Sequence, residues 1–260
     1  MPATDIGWVG LAASLVLVAI TVALSLWQRL GLARPIMWAS ARAAAQLLAV
    51  GVALHLVLDN DQPIIWSWLW VAAMVVFAAV TVRNRAPEVP SIMPLALAAT
   101  SAVAVVSLSV IFGLGIFPVE GRTLIPLAGM MVGNSMTATV VIARRVVGEL
   151  ADKRAEVEAR LALGQPSADA ARPYVRSALR TALVPQIEST KAVGLVFLPG
   201  AMTGLILAGT DPTDAVLIQL AIMYLILGSV ATSVTVIALG LPHRLFTADH
   251  RLVRLDRPVS

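Results

Sequence analysis

The sequence predicts an all-α, polytopic membrane protein with about seven transmembrane helices and a cytoplasmic helical hairpin between helices five and six. Three observations carry this expectation. Charged residues make up 13% of the 260 and hydrophobic ones 58%, whereas a water-facing surface ordinarily goes with about a quarter charged. Mean hydropathy is +0.86. Several apolar stretches reach the roughly 20 residues that a helix rising 1.5 Å per residue needs to cross a hydrocarbon core about 30 Å thick.

Taken in order, the expected spans are Gly7–Trp27, Ile36–Leu58, Pro63–Val82, Ile92–Phe117, Thr123–Ala143, Ala192–Ala208 and Ala215–Leu239. Together they form a single transmembrane domain over 1–260, with 144–191 as a cytoplasmic helical segment within it. The first run is expected to be a span and not a removable leader, since Met1 to Asp5 carry no basic residue and no small-residue cleavage site follows. The second and sixth spans depart most from plain hydrophobicity. One contains Arg42, Gln46 and His55, the other Pro199 and three glycines. A re-entrant sixth segment would move the C-terminus to the other side.

Charge sets the orientation. The connections after spans one, three and five and the C-terminal tail hold Arg29, Arg34, Arg83, Arg85, the series from Arg144 to Lys191, and Arg244, Arg251, Arg254 and Arg257. The other connections hold Arg122 against Asp5, Asp59, Asp61, Glu120, Asp211 and Asp214. Basic residues are retained on the cytoplasmic side, so the N-terminus is expected outside and the C-terminus inside.

Between spans five and six the pattern predicts helix from Arg144 to about Leu163, a stop at Gly164, and a second helix from near Pro173. The second carries Arg172, Arg176 and Arg180 at spacing four, and Pro185 is expected to break or kink the approach to span six. Two readings stand for this pair: amphipathic helices resting on anionic headgroups, or a docking surface for a cytosolic partner.

Polar groups inside the spans are the candidate transport path, because an unpaired polar group in hydrocarbon is costly. Arg42 either snorkels or pairs in the interior; Gln46, one turn on, points to a protein interior or polar cavity. Span five is densest. Gly129 to Thr139 combines Gly129 and Gly133 at i,i+4 with Met130, Met131, Asn134, Ser135, Met136, Thr137 and Thr139. The glycines permit close helix approach, while the amide and thioethers, Asn134 and Met136 in particular, are candidate contacts for a cation. Span six adds Pro199, Gly200, Met202, Thr203 and Gly204, a bend that packing alone explains and that in a transporter provides a gate. Span seven adds Gln219, Tyr224, Ser229, Thr232, Ser233 and Thr235.

No nucleotide-binding GxxxxGK[ST], GxGxxG or HExxH is present, and with no cysteine a thiolate site is excluded. His55, His243 and His250 share no metal-ligand spacing. The net charge of +4 follows from the inside-positive asymmetry and gives no reason to expect nucleic-acid binding.

The stretches LAGMMVGNSMTATVVIARRV and LVPQIESTKAVGLVFLPGAMTGLILAGTDPTDAVLIQLAIMYLI resemble the FetB-like family of iron-export ABC transporter permeases, relatives of the plant aluminium-tolerance membrane proteins. Matching positions are Gly133, Asn134 and Met136, then Pro185, Gly194, Leu198, Pro199, Gly200, Met202, Thr203 and Gly204. Leu205 and Ile218 stand where the family often has Gln and Tyr, which bears on cargo more than on transport. The resemblance implies a bacterial inner-membrane permease that binds no cofactor itself, works as two copies with a separate cytosolic ATPase holding ATP and Mg, and drives solute out of the cytoplasm. Iron is the cargo proposed for the bacterial relatives; an organic solute such as a sugar nucleotide is the alternative, and a non-transporting membrane scaffold a third. The segment that would receive the ATPase runs into span six, with Tyr174, Leu183 and Ile187 as apolar contacts, Arg180, Glu188 and Lys191 as the charged edge and Pro185 setting direction.

Overall fold

The computed structural model describes residues 8–57, 63–195, 197–247, 249 and 251–253. Asp5, Gly7, Leu58, Asp59, Asp61, His250, Arg254 and Arg257, used above for spans, orientation and metal spacing, lie outside them. The described residues are helical apart from turns and two isolated bridges, Val193 with Phe197 and Phe246 with Leu252. They fall in two compact units, 1–62 and 63–260.

The first unit is a helical pair, α1 (Trp8–Trp27) against α2 (Ala33–Val57). The turn between them needs left-handed backbone at Arg29 (φ 52) and Gly31 (φ 70). Buried Ser25 holds it, accepting the Leu32 backbone N–H at 3.2 Å.

The second unit contains α3 (Ile65–Arg85), α4 (Ile92–Gly113), α5 (Gly121–Asp152), α6 (Arg154–Ala162), α7 (Ser167–Ala192), α8 (Gly200–Leu207), α9 (Pro212–Gly240) and α10 (Pro242–Leu245). α5 is the hub, touched by α3, α4, α6, α7 and α9. Its contact faces are small and aliphatic: Ala79, Ala96, Ala99, Val103, Ala128, Val146 and Val147 are fully buried, and small side chains let helix axes approach closely where lipid supplies no hydrophobic drive. Buried hydroxyls close locally or across helices. Thr100 donates to Ala96 O at 2.9 Å, and Ser107 of α4 meets Ser229 of α9 at 2.8 Å. Asp211 caps α9, its carboxylate accepting from Thr213 N at 2.8 Å, with Pro212 at the first position.

Among the described residues five helices are long and apolar enough to cross a membrane, in α2, α3, α4, α5 and α9, and α1 adds a shorter apolar stretch, Ala12–Trp27. This is a polytopic all-α membrane protein. The expected sixth span is corrected: α8 has only 8 residues, about 12 Å of helix, and described residues 193–199 before it are not helical. Pro199 and Gly194, the latter at φ 88, break the helix on the approach. Span four ends early, at Gly113, because Gly115 adopts φ 65.

The hairpin differs too. Span five does not stop at Ala143; α5 continues to Asp152, so the first expected helix is split between α5 and α6 at Lys153. The Gly164 stop stands, at φ 84. The second helix starts at Ser167, not Pro173, and runs through both Pro173 and Pro185. Each proline removes one i to i−4 bond, and at Pro173 the loss is offset by burial of the neighbouring Ala170, Ala171, Tyr174 and Val175. α7 packs on α5 and α9 through these residues with Ala178 and Ala182. The apolar face that would rest on headgroups is therefore consumed inside the protein.

Candidate functional site

At about 100° per residue, Met130, Gly133, Asn134, Thr137 and Val141 fall on one face of α5. Although α5 is the hub, this face stays open: Gly133, Asn134, Thr137 and Val141 are exposed and Met130 is half-buried. The opposite face holds Met131, Ser135 and Thr139, all fully buried. Those two hydroxyls close on their own helix, Ser135 to Val132 O at 2.9 Å and Thr139 to Ser135 O at 2.8 Å. Asn134 Nδ2 donates to Met130 O at 2.8 Å, which leaves its carbonyl oxygen and second N–H facing outward. Met136 lies two residues from Asn134, about 200° round the helix, and packs half-buried against the core. These two do not converge on one ion. Among the described residues no three His, Cys, Asp or Glu side chains gather as a metal site.

The glycine pairs divide. A Cβ on Gly129 would meet Met74 Cε at 3.3 Å, so this glycine serves the approach of α3 to α5; Gly133, Gly200 and Gly204 face open space. In α8 Met202 is half-buried, and exposed Thr203 donates to Pro199 O at 3.2 Å. Gln219 of α9 is 4% exposed and its Oε1 has no partner, an arrangement that costs stability unless something else satisfies it. Arg42 and Gln46 are exposed in the first unit, one turn apart on α2.

The expected coupling residues share α7 but not one environment. Tyr174 is buried and its hydroxyl donates to Glu156 Oε2 at 3.0 Å; it holds α6 to α7 and offers no apolar contact outward. Leu183 packs partly on the core. No residue of α7 beyond Ala182 is buried. Arg180 and, beyond Ala182, Val184, Ile187, Glu188 and Lys191 form one exposed stripe that includes Glu188 and Lys191 paired at 2.8 Å, while Pro185 is exposed beside it.

Sequence reasoning missed three features of this end of the molecule. Lys153 and Tyr174 both donate to Glu156, Lys153 Nζ at 2.9 Å, and these hydrogen bonds hold the Glu156 carboxyl below its ordinary value. Burial, then the bond to Glu156, pushes the Tyr174 phenol up. Arg154 clamps the C-terminal segment, donating to Leu252 O at 3.0 Å and Val253 O at 3.3 Å. Arg144 Nε sits 2.7 Å from Glu88 Oε1 of the α3–α4 loop, close in distance but misaligned for a hydrogen bond. The i,i+3 spacing of Lys153 and Glu156 was a readable signal; the other pairings join distant parts of the chain.

A family model described as "Uncharacterised protein family (UPF0014)" matches residues 8–246. The chain belongs to the UPF0014 family. It is 38% identical over 228 residues to UPF0014 membrane protein STAR2 of Oryza sativa subsp. japonica, covering 88% of this chain and 80% of that one. It is 35% identical over 229 residues to Protein ALUMINUM SENSITIVE 3 of Arabidopsis thaliana, covering 87% and 83%. With the probable iron export permease protein FetB of Escherichia coli (strain K12) it shares 31% over 244 residues, 94% and 93% of the two chains. These are the bacterial and plant relatives that the sequence resemblance pointed to. No solved structure matches.

Proposed function

We propose that this UPF0014 protein is the membrane permease subunit of an ATP-driven exporter of the bacterial cytoplasmic membrane. The observation that carries the reading is the open face of α5. An amide and a threonine aligned near the middle of a membrane helix are not a surface for lipid tails, because each unsatisfied polar group in hydrocarbon costs several kcal/mol; such a stripe suits a path for a polar solute. A relative named as a probable iron export permease supports a metal ion, iron, as cargo and export as direction. The uncharged amide and hydroxyl lining favours the second reading, an organic solute such as a sugar nucleotide carried by the same architecture.

ATP and Mg are then held by a cytosolic ATPase, and two copies of this chain pair with two of that subunit. α7 is the element suited to receive it, anchored through its first half and free along its second. The N-terminus faces outside and the C-terminus the cytoplasm.

The test is Asn134→Leu in liposomes reconstituted with the ATPase, measuring ATP-dependent movement of Fe(II) and of a sugar nucleotide beside thermal stability. Loss of transport with unchanged or raised stability is expected. Full transport of either solute by the variant would remove Asn134 from the transport path.

A further inference from the structure

We propose that the cleft between α6 and α7 is a binding site for a phosphoryl-bearing anion, separate from the path along α5. The cleft is open to solvent, has a volume of about 820 Å³, and is lined by Arg160 of α6 and by Arg172, Arg176 and Arg180 of α7; the Ser177 and Thr181 hydroxyls between them already donate to Glu149 Oε1 at 3.4 Å and to Ser177 O at 3.1 Å. That volume lies in the range of small-ligand pockets. Arginines four residues apart on a helix share a face with roughly 6 Å of axial rise between them, so neighbouring guanidinium groups can close on one phosphoryl group with paired N–H donors.

The charge is not balanced within the protein. Three nearby carboxylates have cations of their own: Glu149 has Arg145 at 3.1 Å, Glu156 has Lys153 at 2.9 Å, and Glu158 has Arg154 at 2.7 Å. Within the cleft Asp169 reaches only Arg172, at 3.7 Å. Among the described residues Arg176 and Arg180 have no ion-pair partner. Like charges held at this spacing repel, and the concave wall concentrates that field on an incoming anion. A flat contact with headgroups is not what α7 offers, since its apolar face is buried against α5 and α9. A concave site walled by four arginines in so short a stretch favours a compact phosphoryl group over an extended acidic peptide. The group can come from a free anion or from the headgroup of a single anionic lipid, and the chemistry is shared.

The experiment uses the full chain in phosphatidylcholine nanodiscs, titrated with inorganic pyrophosphate, and the same protein in nanodiscs containing phosphatidylglycerol. Arg176→Gln with Arg180→Gln removes two charge-assisted donors and is expected to weaken pyrophosphate binding by about tenfold or more, with unchanged melting in phosphatidylcholine. Thr181→Glu, which places a repelling charge on the exposed wall, is expected to do the same and keeps the test open should the double variant fold poorly. Saturable pyrophosphate binding lost in the variants supports a free anion. A gain in melting temperature from phosphatidylglycerol, abolished by the variants without any pyrophosphate binding, supports the lipid source. No response to either probe, or responses the variants leave intact, would overturn the site. So would a loss of ATPase co-purification as the variants' only effect, which would mark the cleft as a protein contact.

Discussion

Ile187 on the free half of α7 offers a direct test of the proposed contact with an ATPase. It is 40% exposed and lies outside the buried core, so its loss should hardly touch folding, within about 0.5 kcal/mol. Full burial of an isoleucine side chain contributes about 1.5–3 kcal/mol. Covering the open two-fifths at an interface is then worth about 0.6–1.2 kcal/mol, so Ile187→Ala should weaken association roughly three- to eightfold. Ile187→Asp adds a carboxylate that the interface would have to desolvate, at a cost of several kcal/mol, and should weaken it by more than about 100-fold. Glu188→Arg breaks the 2.8 Å pair with Lys191 and sets two cations side by side; it should uncouple hydrolysis from transport while the permease stays in the membrane. Affinity of the ATPase for nanodisc-embedded permease, measured beside solute-stimulated hydrolysis in liposomes, reads both effects. Wild-type association and coupling in both charged variants would remove this half of α7 as the transmission element and return the search to the loops around Arg29 and Arg34 or Arg83 and Arg85.

Cysteines introduced at Ser167 and Ser260 should resist an impermeant thiol reagent in intact cells while those at Asn60 and Asp211 react; labelling at Ser167 would reverse the orientation. The active complex should contain two copies of this chain, and purification of an active complex holding one would refute that stoichiometry. Because the Glu156 carboxyl is held below its ordinary value by Lys153 and Tyr174, its stabilising contribution is present above the ordinary carboxylate range and is lost as pH falls through the folded value. The melting difference between wild type and Glu156→Gln should therefore shrink from pH 7 to below about pH 4, and a difference independent of pH would refute the linkage. A Cβ on Gly240 would clash with Leu95 Cδ2, whereas one on Gly133 meets nothing within 4 Å. Gly240→Ala should cost about 1–3 kcal/mol, with recovery in the Leu95→Ala background, and Gly133→Ala should melt like wild type; equal effects at the two glycines would sink the packing argument.

Hydropathy could locate helices because a lipid-crossing helix must be apolar over its whole length, and α1 to α5 and α9 were legible on that ground. It could not register the break before α8, since Val193 to Pro199 is as apolar as a span while the backbone of its described residues is not helical. Proline was read as a boundary at Pro173 and Pro185, where tertiary packing holds α7 through the first and the helix carries on through the second. The Arg144–Leu163 periodicity was real, but a period does not reveal that the same helix began in the membrane. At the site, the amide in span five marked Asn134, while its outward direction follows only once α3, α4, α6, α7 and α9 are seen to occupy the rest of α5. Ser229 was visible as a hydroxyl; its partner Ser107 lies 122 residues away, beyond any local pattern.

The break before α8 gains meaning from its two flanks. The free half of α7 is helical up to Ala192, with one backbone hydrogen bond missing at Pro185, so displacement applied beyond that proline is carried by tied turns to Ala192. Beyond it, Gly194 N to Phe197 O at 3.0 Å closes a short turn in place of a helical ladder, and Gly194 at φ 88 occupies backbone that side chains rarely adopt. Motion there requires neither unpacking of the fully buried α5 face nor rupture of the Ser107–Ser229 contact. A continuous sixth span would have to tilt as one rod against α9, whose neighbours α4 and α5 are closely packed. Under the proposed coupling, a stroke delivered to α7 would reach α8 across this break and move it against its contacts with α9, leaving the α4–α5–α9 core packed.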